Sequence, residues 1–198
     1  MDSAGWDERY STSELIWTGR ANQFVERHLS DLEPGSAIDL GAGEGRNAVW
    51  LATRGWDVTA VDFSQVGLDK ARQLADEHGV EIELVRADAT TWQPDSPVDL
   101  VMLSYLQLPT PERRTVLEHV RSWLRPGGTL FVVAHDRSNV TEGYGGPPSA
   151  DVCYTVEETV GALDGLRIDV AEVAERHVDT PDGDRTALDT LVIATDPT

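Results

Sequence analysis

A single cysteine, Cys153, in 198 residues excludes an internal disulfide framework and a cysteine-built metal cluster. Its expected role is that of a small, half-buried side chain and not a nucleophile. Lysine is as scarce, with Lys70 alone, so almost every cation is an arginine. The sixteen basic residues stand singly, apart from the pair Arg113-Arg114, against 35 acidic ones, leaving a net charge of −19. A field of that sign repels a phosphate backbone unless a basic patch is concentrated on one face, so nucleic acid is not an expected partner. No apolar run approaches the ~20 residues of a membrane span, and Met1 to Gly5 lacks a basic-then-apolar signal. The expectation is a cytoplasmic protein with no membrane partner. His28, His78 and His177 are too dispersed to suggest a metal site, and none is expected. Internal repeats and low-complexity tracts are missing as well.

Against those absences stands a regular alternation of short β-type apolar runs with amphipathic stretches, the pattern of an α/β parallel sheet. Strands are expected over Ala37 to Leu40, Val58 to Val61, Val80 to Arg86, Val98 to Ser104 and Thr129 to Ala134. Between them lie a helix from Asn47 to Arg54 stopped by Gly55, and one capped by Ser64 and ended near His78 by Gly79. A third helix opens at Thr110-Pro111 and runs to Pro126-Gly127-Gly128. Thr155-Val156-Glu157-Glu158 reads as a capping box for a helix to Leu163. Two last strands, Leu166 to Arg176 and Thr186 to Thr195, flank the hairpin turn Thr180-Pro181-Asp182-Gly183-Asp184.

The first strand runs into Gly41-Ala42-Gly43-Glu44-Gly45-Arg46. Glycines there let the backbone approach a ligand, and the helix that follows offers free N–H groups. Asp62, ending the second strand 21 positions beyond Gly41, is placed to accept the hydroxyls of a ribose. The dinucleotide fingerprint needs a third glycine where Arg46 stands, which weighs against a hydride-transfer enzyme. No Gly-Lys-Ser/Thr run supports a nucleoside triphosphatase.

Ile38-Asp39-Leu40-Gly41-Ala42-Gly43-Glu44-Gly45 resembles the first motif of class I S-adenosylmethionine-dependent methyltransferases. Val61-Asp62-Phe63-Ser64, Arg86-Ala87-Asp88-Ala89, Val98 to Leu103 and Leu124 to Leu130 resemble their later motifs, in order and with normal spacing. The resemblance implies a single-domain, Rossmann-like, doubly wound, seven-stranded sheet, mostly parallel with a C-terminal antiparallel hairpin. It implies S-adenosyl-L-methionine as cofactor, S-adenosylhomocysteine as product and a small-molecule acceptor.

Residue by residue, the resemblance places Asp39 and the backbone of Gly41, Ala42 and Gly43 at the methionine amino group, and Arg46 at its carboxylate. It places Asp62 on the ribose hydroxyls, Phe63 on the adenine face, Asp88 on the exocyclic amine and the Ala89 N–H on the ring. Ser104 falls beneath the sulfonium. The same side chains have plainer readings: Asp62 as a helix-capping partner, Asp88 as a turn-former, Arg46 as a solvated helix start. Trp6 to Tyr10 and Trp17 to Asn22 resemble the N-terminal segment of tellurite-resistance and thiopurine-type methyltransferases, which puts Tyr10, Trp17 and Asn22 over the cofactor. Residues 1–35 are then a helical lid segment and 36–198 the catalytic core.

The loop from His135 to Tyr154 is long for a connector and is expected to meet the acceptor. His135, with Asp136 beside it, is the candidate general base, and Tyr105 the candidate pocket residue. A cofactor-binding sensor without turnover and a nicotinamide-dependent oxidoreductase remain as alternatives.

Overall fold

The computed structural model describes residues 3–11, 15 and 19–197. They contain helices α1 (Ser3–Tyr10), α2 (Gln23–Leu29), α3 (Arg46–Thr53), α4 (Gln65–His78), α5 (Thr110–Val120), α6 (Asn139–Glu142) and α7 (Val156–Gly161). The strands are β1 (Ser36–Leu40), β2 (Asp57–Asp62), β3 (Glu83–Arg86), β4 (Val98–Ser104), β5 (Leu124–His135), β6 (Arg167–Val178) and β7 (Arg185–Thr195). They form one seven-stranded sheet in the order β3-β2-β1-β4-β5-β7-β6, mostly parallel and closed by the antiparallel β6–β7 hairpin. Among the described residues no helix is long and apolar enough to cross a membrane. By its internal contacts the chain divides into two compact units, 1–102 and 103–198.

In the N-terminal unit the parallel register sets Asp39 beside Ala60 and Leu40 beside Val61. Strands buried on both faces read as continuous apolar runs, and Ala37, Ile38 and Leu40 are all at most 1% exposed. Asp39 is the exception in that run. The helix stops fall where the sequence puts them. Ser64 accepts from the Gly67 N–H as N-cap of α4, and Gly79 closes it at φ +66°. Strand β3 is shorter than expected. Val80 and Ile82 alternate like strand residues but pack on Val49, Leu74 and Ala75 of α3 and α4, so pairing begins only at Glu83.

In the C-terminal unit the expected helix from Thr110 ends early, at Val120, and a 3₁₀ turn leads into β5. That strand starts at Leu124, not Thr129, and Pro126-Gly127-Gly128 lies within it. The cause is β7: Gly127 N–H donates to Asp196 O and Asp196 N–H to Gly128 O, continuing the ladder past the expected turn. Helix α7 likewise ends at Gly161, two residues short of Leu163, with the Thr155 side chain capping the Glu158 N–H as expected. The hairpin turn is present, closed by Gly183 N–H on Thr180 O with Gly183 at φ +103°.

Candidate functional site

The glycine turn after β1 is held from below by β2. The N–H groups of Gly41 and Ala42 both donate to Val61 O. Asp62, 6% exposed, accepts from the Gly43 N–H on one carboxylate oxygen and from the Ser64 N–H on the other, each at 2.8 Å. Asp62 thus braces the turn and the start of α4, and each oxygen keeps a further lone pair for a ligand. Burial raises its pKa, opposed by those backbone N–H groups.

Two of the turn's glycines are compulsory. At Gly43, φ +56°, a Cβ would stand 2.6 Å from the Tyr10 hydroxyl. At Gly45, φ +77°, it would stand 2.5 Å from the Ala71 Cβ, so Gly45 lets α3 and α4 close on each other.

Asp39 carries the clearest signal. It is 1% exposed, and among the described residues neither carboxylate oxygen accepts a hydrogen bond. Burial, reinforced by the Asp62 carboxylate, pushes its pKa up to about 7, with the Arg46 guanidinium and the nearby Ala48 N–H offsetting this only in part. Buried carboxylates normally have partners, and an orphaned one at the end of a strand suits a cationic group supplied from outside. A ligand ammonium meets that need, so the residues present fit the methionine end of S-adenosylmethionine.

The other residues expected at the cofactor have different surroundings. Tyr10, the last residue of α1 and 5% exposed, lies on Gly43 and stacks on Trp6 at 5.3 Å. Helix α1 is fastened there by Asp7, which accepts from the Ser64 hydroxyl at 2.5 Å. Asn22 is buried and ties α2 to α3: its side chain caps the Phe24 N–H, and its own N–H donates to Asn47 Oδ1 at 2.9 Å. Arg46 is the first residue of α3. Phe63 and Ala89 are half-buried, each following an expected aspartate. Asp88 is exposed and accepts from the Thr90 N–H and hydroxyl, the geometry of an Asx turn. Trp17 lies outside the described residues.

In the C-terminal unit, Ser104 ends β4 with its hydroxyl buried and unpartnered among the described residues. Tyr105 follows at φ +57°, the only described residue other than glycine with positive φ. Such a conformation costs a bulky residue roughly 1–2 kcal/mol and persists only where the surroundings impose it. Here the Tyr105 hydroxyl donates to Asp189 Oδ2 at 2.7 Å, and its N–H donates to Val133 O. The segment that follows is pinned by the Tyr154 hydroxyl on Leu106 O and by the buried Arg113 on Leu108 O.

Asp136, next to His135 in the chain, is engaged elsewhere. Its carboxylate accepts from Ser138 and from the Thr190 hydroxyl, anchoring the loop to β7. The carboxylate facing His135 is Asp189 on β7, with Oδ1 3.3 Å from Nδ1. Arg176 on β6 donates from Nε to the other oxygen at 2.7 Å. Sequence reasoning missed Asp189 and Arg176. The available signal was a charged residue inside the apolar run Leu188 to Ile193, which proves to be fully buried. Burial would raise the Asp189 pKa, but His135, the Arg176 guanidinium and the Tyr105 hydroxyl together hold it below the ordinary carboxylate range.

Residues 37–128 match the family model of the methyltransferase domain. The chain is 31% identical over 128 residues to the tRNA 5-carboxymethoxyuridine methyltransferase of Escherichia coli (strain K12), covering 62% of this chain and 47% of that protein. It is 33% identical over 129 residues to the trans-aconitate 2-methyltransferase of Azoarcus sp. (strain BH72), covering 64% and 49%. The chain therefore spans about half the length of these curated relatives. Among solved structures, the N-methyltransferase NodS of Bradyrhizobium japonicum WM9, in complex with S-adenosyl-L-homocysteine, superposes with a TM-score of 0.75 at 16% identity, over 99% of this chain and 98% of that one. The sheet order and the superposition show a Rossmann-like fold, within which residues 37–128 match the methyltransferase-domain model. Over that segment the chain is similar to methyltransferase domains.

Proposed function

We propose that this chain transfers the methyl group of S-adenosylmethionine to a small-molecule acceptor in the cytoplasm. The observation that carries the cofactor half is the orphaned, buried Asp39 carboxylate on the glycine turn. In this reading Asp39 and the backbone of Gly41 to Gly43 hold the methionine ammonium, and Arg46 holds its carboxylate. Asp62 takes the ribose hydroxyls, Phe63 packs on the adenine, and Asp88 and the Ala89 N–H read its edge. The Ser104 backbone lies near the sulfonium. Residues 1–35, with Tyr10, Trp17 and Asn22, form a lid of the kind seen in tellurite-resistance and thiopurine-type enzymes. The cofactor supplies an activated methyl, and the protein's work is to align the nucleophile and exclude water.

Support for a small acceptor comes from the net charge of −19, which opposes a nucleic-acid substrate. The relative named for a tRNA uridine is the specific reason to test RNA beside it. The experiment uses methyl-labelled S-adenosylmethionine with a metabolite panel and with total tRNA and rRNA, after S-adenosylhomocysteine binding is shown by thermal shift. Label entering small molecules supports the proposal; label confined to RNA replaces the acceptor class. Binding without transfer to either marks a sensor, and protection by a nicotinamide dinucleotide alone refutes the cofactor assignment.

A further inference from the structure

The Tyr105–His135–Arg176–Asp189 cluster has more partners than its fold requires. Asp189 is fully buried, and its Oδ2 already receives two donors, the Tyr105 hydroxyl and the Arg176 Nε, each at 2.7 Å. Those two are enough to compensate one buried carboxylate. Oδ1 nevertheless lies 3.3 Å from His135 Nδ1, close but not in hydrogen-bond alignment, and both atoms are buried without a hydrogen-bond partner among the described residues. The imidazole keeps 11% exposure with Nδ1 buried, so Nε2 is the nitrogen left to meet a ligand. The Tyr105 ring lies against it with centroids 4.8 Å apart, and the Gly146 backbone approaches so closely that a Cβ there would be 3.0 Å from Cγ and Nδ1. The ring is thus walled on several sides and fixed in orientation, beside a tyrosine held in a strained backbone conformation.

We infer that Asp189 and His135 form an acid–base dyad in which Asp189 orients His135 for proton removal, so that the acceptor's nucleophile is a hydroxyl. This rests on the reading of the chain as a methyltransferase. A thiolate, selenolate, carboxylate or tellurium centre attacks the methyl carbon without help, and an amine, which can lose its extra proton to water before it binds, attacks through the lone pair of its neutral form. A hydroxyl is the nucleophile that needs its proton taken as it attacks. As the oxygen–methyl bond forms, the methyl–sulfur bond breaks and its electron pair goes to sulfur. The O–H bond breaks as well, and its proton goes to His135 Nε2. Asp189 holds the Nδ1–H tautomer and stabilises the imidazolium, which returns its proton to water. The groups facing His135 are Asp189 from β7, Tyr105 after β4 and, through Asp189, Arg176 from β6. Asp136 is engaged by Ser138 and Thr190.

The test uses methyl-labelled S-adenosylmethionine and paired acceptors, phenols with thiophenols and alcohols with thiols, plus a set of primary amines. The expected product carries its methyl on oxygen. His135→Ala is expected to lower kcat on the hydroxyl acceptor by about 100-fold or more. Asp189→Asn should lower kcat in the same direction, with KM and S-adenosylhomocysteine binding little changed. Nitrogen-15 spectra of His135 give a readout apart from turnover: the Nδ1–H tautomer in the native protein, lost in Asp189→Asn. Transfer only to sulfur or nitrogen, or oxygen methylation indifferent to His135→Ala, overturns the dyad while leaving the methyltransferase reading intact. No transfer to any acceptor, with S-adenosylhomocysteine still bound, overturns that reading and the dyad with it.

Discussion

Replacing Asp39 by asparagine should make the cofactor-free protein more stable while weakening its hold on cofactor. The folded pKa of Asp39 is pushed from 3.8 up to about 7, first by burial and then by Asp62. At about 1.4 kcal/mol per pH unit, keeping this carboxylate ionised in the fold costs about 4 kcal/mol at pH 8. A folded pKa above the unfolded one means that the native state binds the extra proton, so stability falls as pH rises between those two values. The penalty is small near pH 4 and complete above pH 7.

Asparagine removes the charge but leaves a buried amide short of partners, which returns about 1–3 kcal/mol of cost. The net gain at pH 8 is then about 2 kcal/mol, a rise in Tm of about 4–8 °C for a chain of this length. Near pH 4.5 the gain should vanish or reverse. S-adenosylhomocysteine affinity should drop by about 10–100-fold, because a charged hydrogen bond to its ammonium is worth about 1.5–3 kcal/mol. Calorimetric melts of native and Asp39→Asn protein at both pH values, with titration of the ligand, give all three quantities. A variant less stable than the native protein at pH 8, or equally shifted at both pH values, refutes the reasoning.

Three further changes probe the same cradle and its surroundings. Gly45→Ala should destabilise by about 2–4 kcal/mol, since the new methyl meets Ala71 at 2.5 Å in a left-handed turn, and Ala71→Gly should restore part of the loss in urea denaturation. Asp62→Asn should cost about 2–3 kcal/mol, because one acceptor oxygen becomes an amide nitrogen that only donates, leaving either the Gly43 or the Ser64 N–H unpaired; denaturant midpoints and loss of the S-adenosylhomocysteine thermal shift check it. Tyr154→Phe removes the bond to Leu106 O and should cost about 1–2 kcal/mol, with S-adenosylhomocysteine affinity in calorimetric titration unchanged.

The turn from Asp39 to Arg46 was legible because its parts are contiguous: strand, glycines and helix start are neighbours in the chain, and their spacing is set by local geometry. The same holds for Ser64 and Gly79 as helix boundaries and for the hairpin turn at Gly183. Local pattern misled where a distant strand intervened. Pro126-Gly127-Gly128 reads as a turn, yet Asp196 completes its hydrogen bonds. Val80 and Ile82 read as strand, yet two helices claim their side chains.

The sequence by itself determined the sheet, its closing hairpin and the glycine turn, because periodicity and adjacent motifs encode them directly. Only the tertiary structure decided which carboxylate meets His135. Adjacency favoured Asp136, but successive residues of a strand point to opposite faces, and Asp136 turns to Thr190. The antiparallel register of β5 and β7 sets His135 directly across from Asp189, and that of β6 and β7 sets Arg176 across from Ala187, two positions from Asp189 on the same face. A slip of one residue in either ladder would send these side chains to opposite faces. The β5–β7 register is a property of strands far apart in the chain, and no single segment carries it.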